Sequence, residues 1–422
     1  MVSTQSRIRD LKRPPGVYFD FDERPAPTMR RRSDVAGFVG AVYSINVDGG
    51  YRQQPPDDHK PKAYRCDSLQ DFYALFGELP PDGYLGAAVR GFFANGGQTC
   101  YVAPIQIKEP EIGVKAADDL GLTVEKFSDD DGNGALDQLA LIDAVSLLAA
   151  PDASLLRHGD GVEKVRGALI AQAERLRDRV ALLDPPRDSD VRREVSIAKS
   201  ESGLAALYWP WIKIANESAS DIVEPAREVP PSGHIAGTIA RRDLEQGVFA
   251  PPANMRIEGA VGVASELSPQ ERFDVNKEGI NVICAMPGRG IRAMGARTWC
   301  ISVEYKWLNV RRLVTHLCEW IEEDTQWIVF EPHSETLWRS TERLVRTILF
   351  DLWRRGGLVG ETDDEAYFVR CDRTTNPDAE IEAGRVTCLI SLSPPRPAER
   401  IEVRVGFAEG RVELLNDEPI HG

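Results

Sequence analysis

Histidine is scarce in this chain, long apolar runs are missing, and basic residues are outnumbered: 422 residues carry 6 His, and 51 Lys and Arg against 66 Asp and Glu. Each shortage excludes something. The histidines lie far apart, with no His-Glu-x-x-His motif and no Cys-x-x-Cys elsewhere, so the local signatures of a zinc site are missing. No Gly-x-Ser-x-Gly elbow marks a hydrolase nucleophile. The longest apolar stretches, such as Ala144 to Pro151, fall far short of the roughly 20 residues that span a bilayer. Met1 to Pro15 is basic without an apolar core, so neither an export signal nor a membrane anchor is expected. A net charge of -15 argues against nonspecific nucleic-acid binding, which depends on Lys and Arg neutralising phosphates. The seven cysteines are odd in number, scattered and mostly set in apolar runs, a pattern of buried thiols in a reducing cytoplasm rather than a disulfide framework.

Two fragments of ligand-binding motifs are incomplete. Gly288-Arg-Gly-Ile-Arg-Ala-Met-Gly295 holds Ala293 where a dinucleotide loop needs its third glycine, and no Lys-Ser/Thr pair follows; a tight turn between strands explains it better. Asp129, Asp131, Asn133 and Gly134 copy the first half of a calcium loop, but position twelve is Ala140 where a bidentate Glu must close the site. No cofactor and no metal are therefore expected.

What is present is a globular composition, 42% hydrophobic and 28% charged, on a chain long enough for two or more packed units. Ala36 to Val42 reads as a buried strand, Ser68 to Phe76 and Leu85 to Ala94 as helices, and Thr99 to Ile105 as a strand. A strand at Val145 to Ala150, a helix with Val165, Leu169, Ala173 and Leu176 at helical spacing, and a strand at Val180 to Leu183 form a parallel crossover unit. A strand follows at Ala205 to Ile212, and Asp221 to Gly237, rich in proline and polar residues, reads as a loop. Beyond Asn281 come helical stripes on Val310 to Ile321 and Leu344 to Trp353, then a strand from Arg385 to Leu392. The Trp and Tyr residues, from Tyr208, Trp209 and Trp211 onward, sit in apolar surroundings and are assigned to core or subunit contacts.

Both ends carry strands that appear isolated between prolines: Val17, Tyr18, Phe19 and Phe21 at the start, and Ile401, Val403, Val405 and Phe407, alternating with period two, near the end. A strand without a local partner must pair with something distant. Charge is also uneven. From Glu109 to Asp137 there are nine acidic and two basic residues, and from Pro287 to His316 six basic and one acidic, so Arg289, Arg292, Arg297, Arg311 and Arg312 suggest a basic interface.

In order along the chain, Pro15-Gly-Val-Tyr18, Arg90-Gly-Phe-Phe-Ala-Asn-Gly-Gly97, Tyr208-Trp-Pro-Trp-Ile212, Val248-Phe-Ala-Pro-Pro-Ala-Asn254, Pro287-Gly-Arg-Gly-Ile291, Gly295-Ala-Arg-Thr298, Asn309-Val-Arg-Arg312, Gln326-Trp-Ile-Val-Phe-Glu-Pro332, Phe368-Val-Arg-Cys-Asp372 and Pro394 to Glu399 resemble the tail sheath proteins of contractile phages and extracellular contractile injection systems. The resemblance implies a mixed α/β multidomain fold whose core is built from both chain ends, with extended terminal β-arms. It implies a structural subunit, not an enzyme, that stacks as hexameric rings around an inner tube and contracts to drive the tube into a target. The implied partners are further copies of the chain, the inner tube, and baseplate and terminal cap proteins, without nucleic acid or membrane insertion. Synthesis is expected in the cytoplasm, with the assembled particle open to release.

The corresponding divisions are an N-terminal arm at 1–30, an N-terminal part of the core at 31–105, a middle α/β domain at 106–235, a C-terminal core domain at 236–394 and a C-terminal arm at 395–422. The eight arm residues named above are the expected inter-subunit strands. Arg343, Arg346, Arg354 and Arg355, beside the apolar stripe of a helix spanning about 342–355, are candidate contacts to the tube. Two other readings remain open at this stage: an α/β nucleotide-binding or hydrolytic enzyme, resting on the crossover unit and Gly288 to Gly295, and a sheath-related cap or joining protein.

Overall fold

The computed structural model describes residues 32–46, 62–108, 120–129, 131–156, 160–187, 190–191, 199–215, 226–302, 304–329 and 331–395, and the backbone of 401–408 and 411–415. The strand expected at Val17 to Phe21 lies outside these.

The strands are β1 (Ala36–Val42), β2 (Tyr64–Cys66), β3 (Cys100–Gln106), β4 (Leu147–Ala149), β5 (Val180–Leu183), β6 (Ala205–Trp209), β7 (Ile212–Ile214), β8 (Arg227–Val229), β9 (Met255–Arg256), β10 (Ala260–Val263), β11 (Ile280–Met286), β12 (Gly290–Ala293), β13 (Tyr367–Arg370), β14 (Val386–Leu392), β15 (Ile401–Ala408) and β16 (Arg411–Leu415). The helices are α1 (Leu69–Phe76), α2 (Leu85–Ala94), α3 (Val124–Phe127), α4 (Ala135–Ala140), α5 (Gly161–Leu176), α6 (Ser232–Gln246), α7 (Pro269–Lys277), α8 (Leu308–Thr325), α9 (Glu335–Arg354), α10 (Asp363–Ala366) and α11 (Asp378–Glu382).

A nine-stranded sheet in the order β2-β3-β1-β4-β5-β6-β11-β12-β9 forms the larger layer. From β3 to β11 its neighbours pair in parallel, with antiparallel β2 at one edge and β12 and β9 at the other. All seven residues of β1 are buried, as a strand covered on both faces requires, and this is why its sequence is an unbroken apolar run. The expected crossover is present: β4 and β5 are parallel neighbours joined through α5. A small sheet, β10-β7-β8, adjoins this layer, and a four-stranded sheet, β13-β14-β15-β16, belongs to the C-terminal part.

Two hydrophobic cores follow the sheets. The first gathers residues from Ala36 to Leu308 around the nine strands, and the second gathers Val248 and residues from Val310 to Leu392, with α8 and α9 supplying its apolar stripes. The boundary expected at 105 falls within β3 and that at 235 within α6, the nine-stranded sheet takes strands from both sides of each, and the change of core lies near 308. Strand pairing explains this: β11 hydrogen-bonds to β6 in the sheet that β1 began, so the middle of the chain is not a separate layer. The second core is tied back to the approach to β1. Arg312 of α8 donates to the Ser33 carbonyl at 2.7 Å, just before β1.

Two further expectations change. The loop expected over Asp221 to Gly237 contains β8 and the first turns of α6, whose residues from Ser232 to Ala240 are buried. Ile401 to Phe407 is indeed a strand, but it is not unpaired: β15 lies antiparallel between β14 and β16.

Candidate assembly surfaces

The helix pair α2 and α6 shows how the sequence builds a stiff body. A side-chain carbon at Gly91 would lie 2.3 Å from the His234 ring, one at Gly233 2.3 Å from the Ala88 backbone, and one at Gly237 2.3 Å from the Phe92 carbonyl. Glycine at all three lets the helices approach to backbone contact. Asn95, fully buried, stitches the junction: its amide donates to the carbonyls of Gly91 and Glu258, and its oxygen accepts from the Glu258 N–H at 2.8 Å. This accounts physically for the Arg90 to Gly97 motif.

Three buried carboxylates pin neighbouring elements. Asp152 accepts from the N–H groups of Ala41 at 2.7 Å, Tyr84, and Leu85 at 3.2 Å, joining β1 to the start of α2. Burial pushes its pKa up to about 6, although those donors pull the other way. Asp184, after β5, accepts from the Ser232 N–H at 2.9 Å at the start of α6, and burial pushes it up to about 7. Asp243 of α6 pairs with Arg312 of α8 at 2.6 Å; burial raises its pKa, and the guanidinium only partly offsets this.

The basic run therefore does not form one exposed face. Arg312 is spent on Asp243, and Arg311 is buried with its guanidinium over the Tyr305 ring at 4.7 Å. Arg297 lies over Trp307 at 4.9 Å and donates to Asn276, while Arg292 donates to carbonyls of Arg289 and Asn254. Of the five, Arg289 is exposed. Most of the aromatic residues are core: Tyr208, Trp209, Trp211, Trp299, Trp320 and Trp338 are buried, whereas Trp327 is 47% exposed.

The motifs behind the enzyme reading also resolve. Gly288 to Ala293 is the turn and second strand of the β11–β12 hairpin, with Gly288 and Gly290 at φ 68° and 75°. Asp129 accepts from the Asn133 N–H at 2.6 Å in an exposed turn that leads into α4. A cleft of about 660 Å³ lies elsewhere, beside α5 and Trp299. There burial works to raise the Glu174 carboxyl, but hydrogen bonds from Ser200 and Ser202 outweigh it and leave it below its usual value.

Two surfaces remain as candidates for contact with other chains. One is the four-stranded sheet. The register sets Ile401 opposite Leu392, Val403 opposite Ile390, Val405 opposite Cys388 and Phe407 opposite Val386, and the sheet's edges are β13 and β16. The other is the outer side of α9, which begins at Glu335 rather than near 342. It presents Arg343, Arg354 and, as its C-cap, Arg355, all exposed. Arg346 is more constrained, half-buried and donating to Glu342 at 3.1 Å and to the Val369 carbonyl at 3.2 Å.

Known proteins share this construction. The family model for the phage tail sheath protein central domain matches residues 134–299. The chain superposes on a chain of the helical sheath of the anti-feeding prophage in its contracted state, with a TM-score of 0.67 at 27% identity over 92% of this chain and 97% of that one. The chain is similar to contractile tail sheath proteins, in sequence over its middle and in fold. A chain from the anti-feeding prophage baseplate gives a TM-score of 0.69 at 27% identity over 93% and 98% of the two chains. A putative prophage major tail sheath protein of Pseudomonas aeruginosa is 26% identical over 279 residues, 63% of this chain and 67% of the relative. The tail sheath protein of Burkholderia phage BcepMu is 28% identical over 211 residues, 42% of its own length. The family is structural rather than enzymatic, and its members are subunits of contractile phage-tail-like systems. No helix among the described residues is long and apolar enough to cross a membrane.

Proposed function

We propose that this sheath subunit stacks as hexameric rings around an inner tube and that collective rearrangement of nearly rigid subunits drives the tube forward. The observation that carries the reading is the likeness to a contracted helical sheath along almost the whole chain, both cores included. Rigidity has a structural basis in the glycine-mediated α2–α6 contact and in the buried links through Asp152, Asp184 and Asp243. With stiff subunits, the energy of contraction resides in the contacts between them, which can hold two alternative packings. No nucleotide is needed for such a step.

The terminal segments 1–30 and 395–422 act as arms in this reading. β15 pairs antiparallel with β14 through seven residue pairs, and the same pairing satisfies the same backbone groups when the strand comes from a neighbouring copy. Val17, Tyr18, Phe19 and Phe21 supply a second such strand. Arg343, Arg354 and Arg355 contact acidic groups of the tube, with Arg346 held back by Glu342. Baseplate and cap proteins close the ends of the sheath, and the finished particle is released from the cell.

The test is electron microscopy of the chain co-produced with its tube protein. Long tubes with six-fold symmetry support the reading, and their contraction with chelator present and nucleotide absent supports the energetic part. A discrete small oligomer in the presence of the tube protein refutes it.

A further inference from the structure

Four of the seven cysteines are matched across strands. Cys66 and Cys100 are direct partners in the antiparallel β2–β3 register, and both are fully buried. In the β13–β14 register Arg370 faces Leu389, so one step further along the antiparallel pair sets Cys371 against Cys388, with 1% and 0% exposure. In each pair one thiol raises the pKa of the other. Directly opposed residues of an antiparallel pair have Cα atoms about 4.5 to 5.5 Å apart, inside the range a disulfide spans. The positions also correspond in the two sheets: β2 is an edge of the nine-stranded sheet and β13 an edge of the four-stranded one.

We propose that Cys66–Cys100 and Cys371–Cys388 are two redox sites, reduced as dithiols in the cytoplasm and closing to disulfides that staple the edge strands β2 and β13 when the protein meets an oxidising medium. The oxidant is a small disulfide such as oxidised glutathione. One protein thiolate attacks it and releases a glutathione thiolate, and the second protein thiolate then displaces the other glutathione. Each pair loses two protons and two electrons, which leave as two molecules of reduced glutathione. Reagent reaches the buried sulfurs through local opening, which is least costly at a three-residue edge strand and just beyond the end of β13.

Closure is slow at neutral pH and faster in base. The Cys100 thiol is pushed well above its usual pKa by its hydrogen bond with Cys66 and by burial, with Asp67 adding in the same direction. Cys388 is raised likewise by Cys371 and burial, with Glu342 of α9 adding to the rise and Arg346 opposing it. Attack by the Cys100 or Cys388 thiolate is therefore disfavoured near neutrality. The closed pairs would tie the loops 66–100 and 371–388, constraining the unfolded chain. That the protein meets an oxidising medium rests on the sheath reading, whereas the chemistry of the pairs does not.

The test uses the folded, full-length chain incubated with oxidised glutathione, followed by intact mass and non-reducing peptide mapping. The expected result is a loss of two hydrogens per pair, linked peptides joining Cys66 to Cys100 and Cys371 to Cys388, a rate that rises with pH, and a higher melting temperature that dithiothreitol reverses. Cys66→Ala and Cys371→Ala should each abolish one link and leave the other. Persistent free thiols in the folded chain under excess oxidant, stable glutathione adducts in place of internal links, or links to Cys284, Cys300 or Cys318 overturn the proposal. Since no particle is involved, this outcome is independent of whether the chain forms sheaths.

Discussion

Arg312 and Asp243 form a buried ion pair at 2.6 Å, each side chain 3% exposed, and Arg312 also holds the Ser33 carbonyl, so one guanidinium joins α8, α6 and the approach to β1. It is a polar link between the two cores. Removing one partner leaves the other charge buried without compensation, so Arg312→Met or Asp243→Leu alone should cost about 3–5 kcal/mol in denaturant unfolding. The double variant should recover much of that loss. A double-variant loss equal to the sum of the two single losses would show that the pair carries no coupling.

Acidity should act on stability in an unusual direction at Asp184. Its folded pKa, about 7, lies above the ordinary carboxylate value of roughly 3.9. Between those values the folded state holds the proton that the unfolded state has released, so this group's contribution to stability falls as pH rises from about 4 through about 7. Asp152, raised to about 6, adds in the same sense. Carboxylates such as Asp67 and Asp372, which lie below their usual values, act oppositely, so the comparison must be with a variant. Asp184→Asn should flatten the decline in urea midpoint between pH 5 and pH 8 relative to the parent chain. An unchanged decline would count against the assignment.

Two glycines in helices should respond with opposite signs. At Gly233 an added carbon meets the Ala88 backbone at 2.3 Å, so Gly233→Ala should destabilise by about 1–3 kcal/mol. Gly167, on the exposed side of α5, has open space, and Gly167→Ala should stabilise by about 0.5–1 kcal/mol. Thermal unfolding of both variants decides it, and a loss at Gly167 as large as at Gly233 would contradict the packing account.

On α9, charge reversal separates contact from folding. Arg343→Glu and Arg354→Glu lie on exposed positions and should leave the melting temperature within a degree or so while reducing assembly on the tube. Arg346→Glu should also lower stability, because it breaks the bonds to Glu342 and Val369. Normal tube-dependent assembly of the Arg343 and Arg354 variants would remove this surface from the tube interface.

Local pattern was legible where local pattern decides the structure. β1 and α2 occupy the residues that their apolar run and helical spacing indicated, Ala36–Val42 and Leu85–Ala94. The start of α6 was hidden because Pro-Pro-Ser-Gly reads as a loop, whereas Gly233 and Gly237 serve close helix packing that no local signal shows. Alternation in Ile401 to Phe407 revealed a strand but not its neighbour β14, since pairing is a long-range choice. Arg312 was read with its basic sequence neighbours. Its partner, Asp243, stands 69 positions away.

The most direct test of the account compares particles made with the full chain and with a chain ending at 394, each co-produced with the tube protein and imaged by electron microscopy. The account predicts long six-fold tubes from the full chain. The shortened chain should unfold cooperatively as a soluble subunit yet build no sheath, because in the proposed assembly β15 is the strand that neighbouring copies share. Tubes of normal length from the shortened chain would contradict the arm, and their absence with the full chain would contradict the sheath function itself.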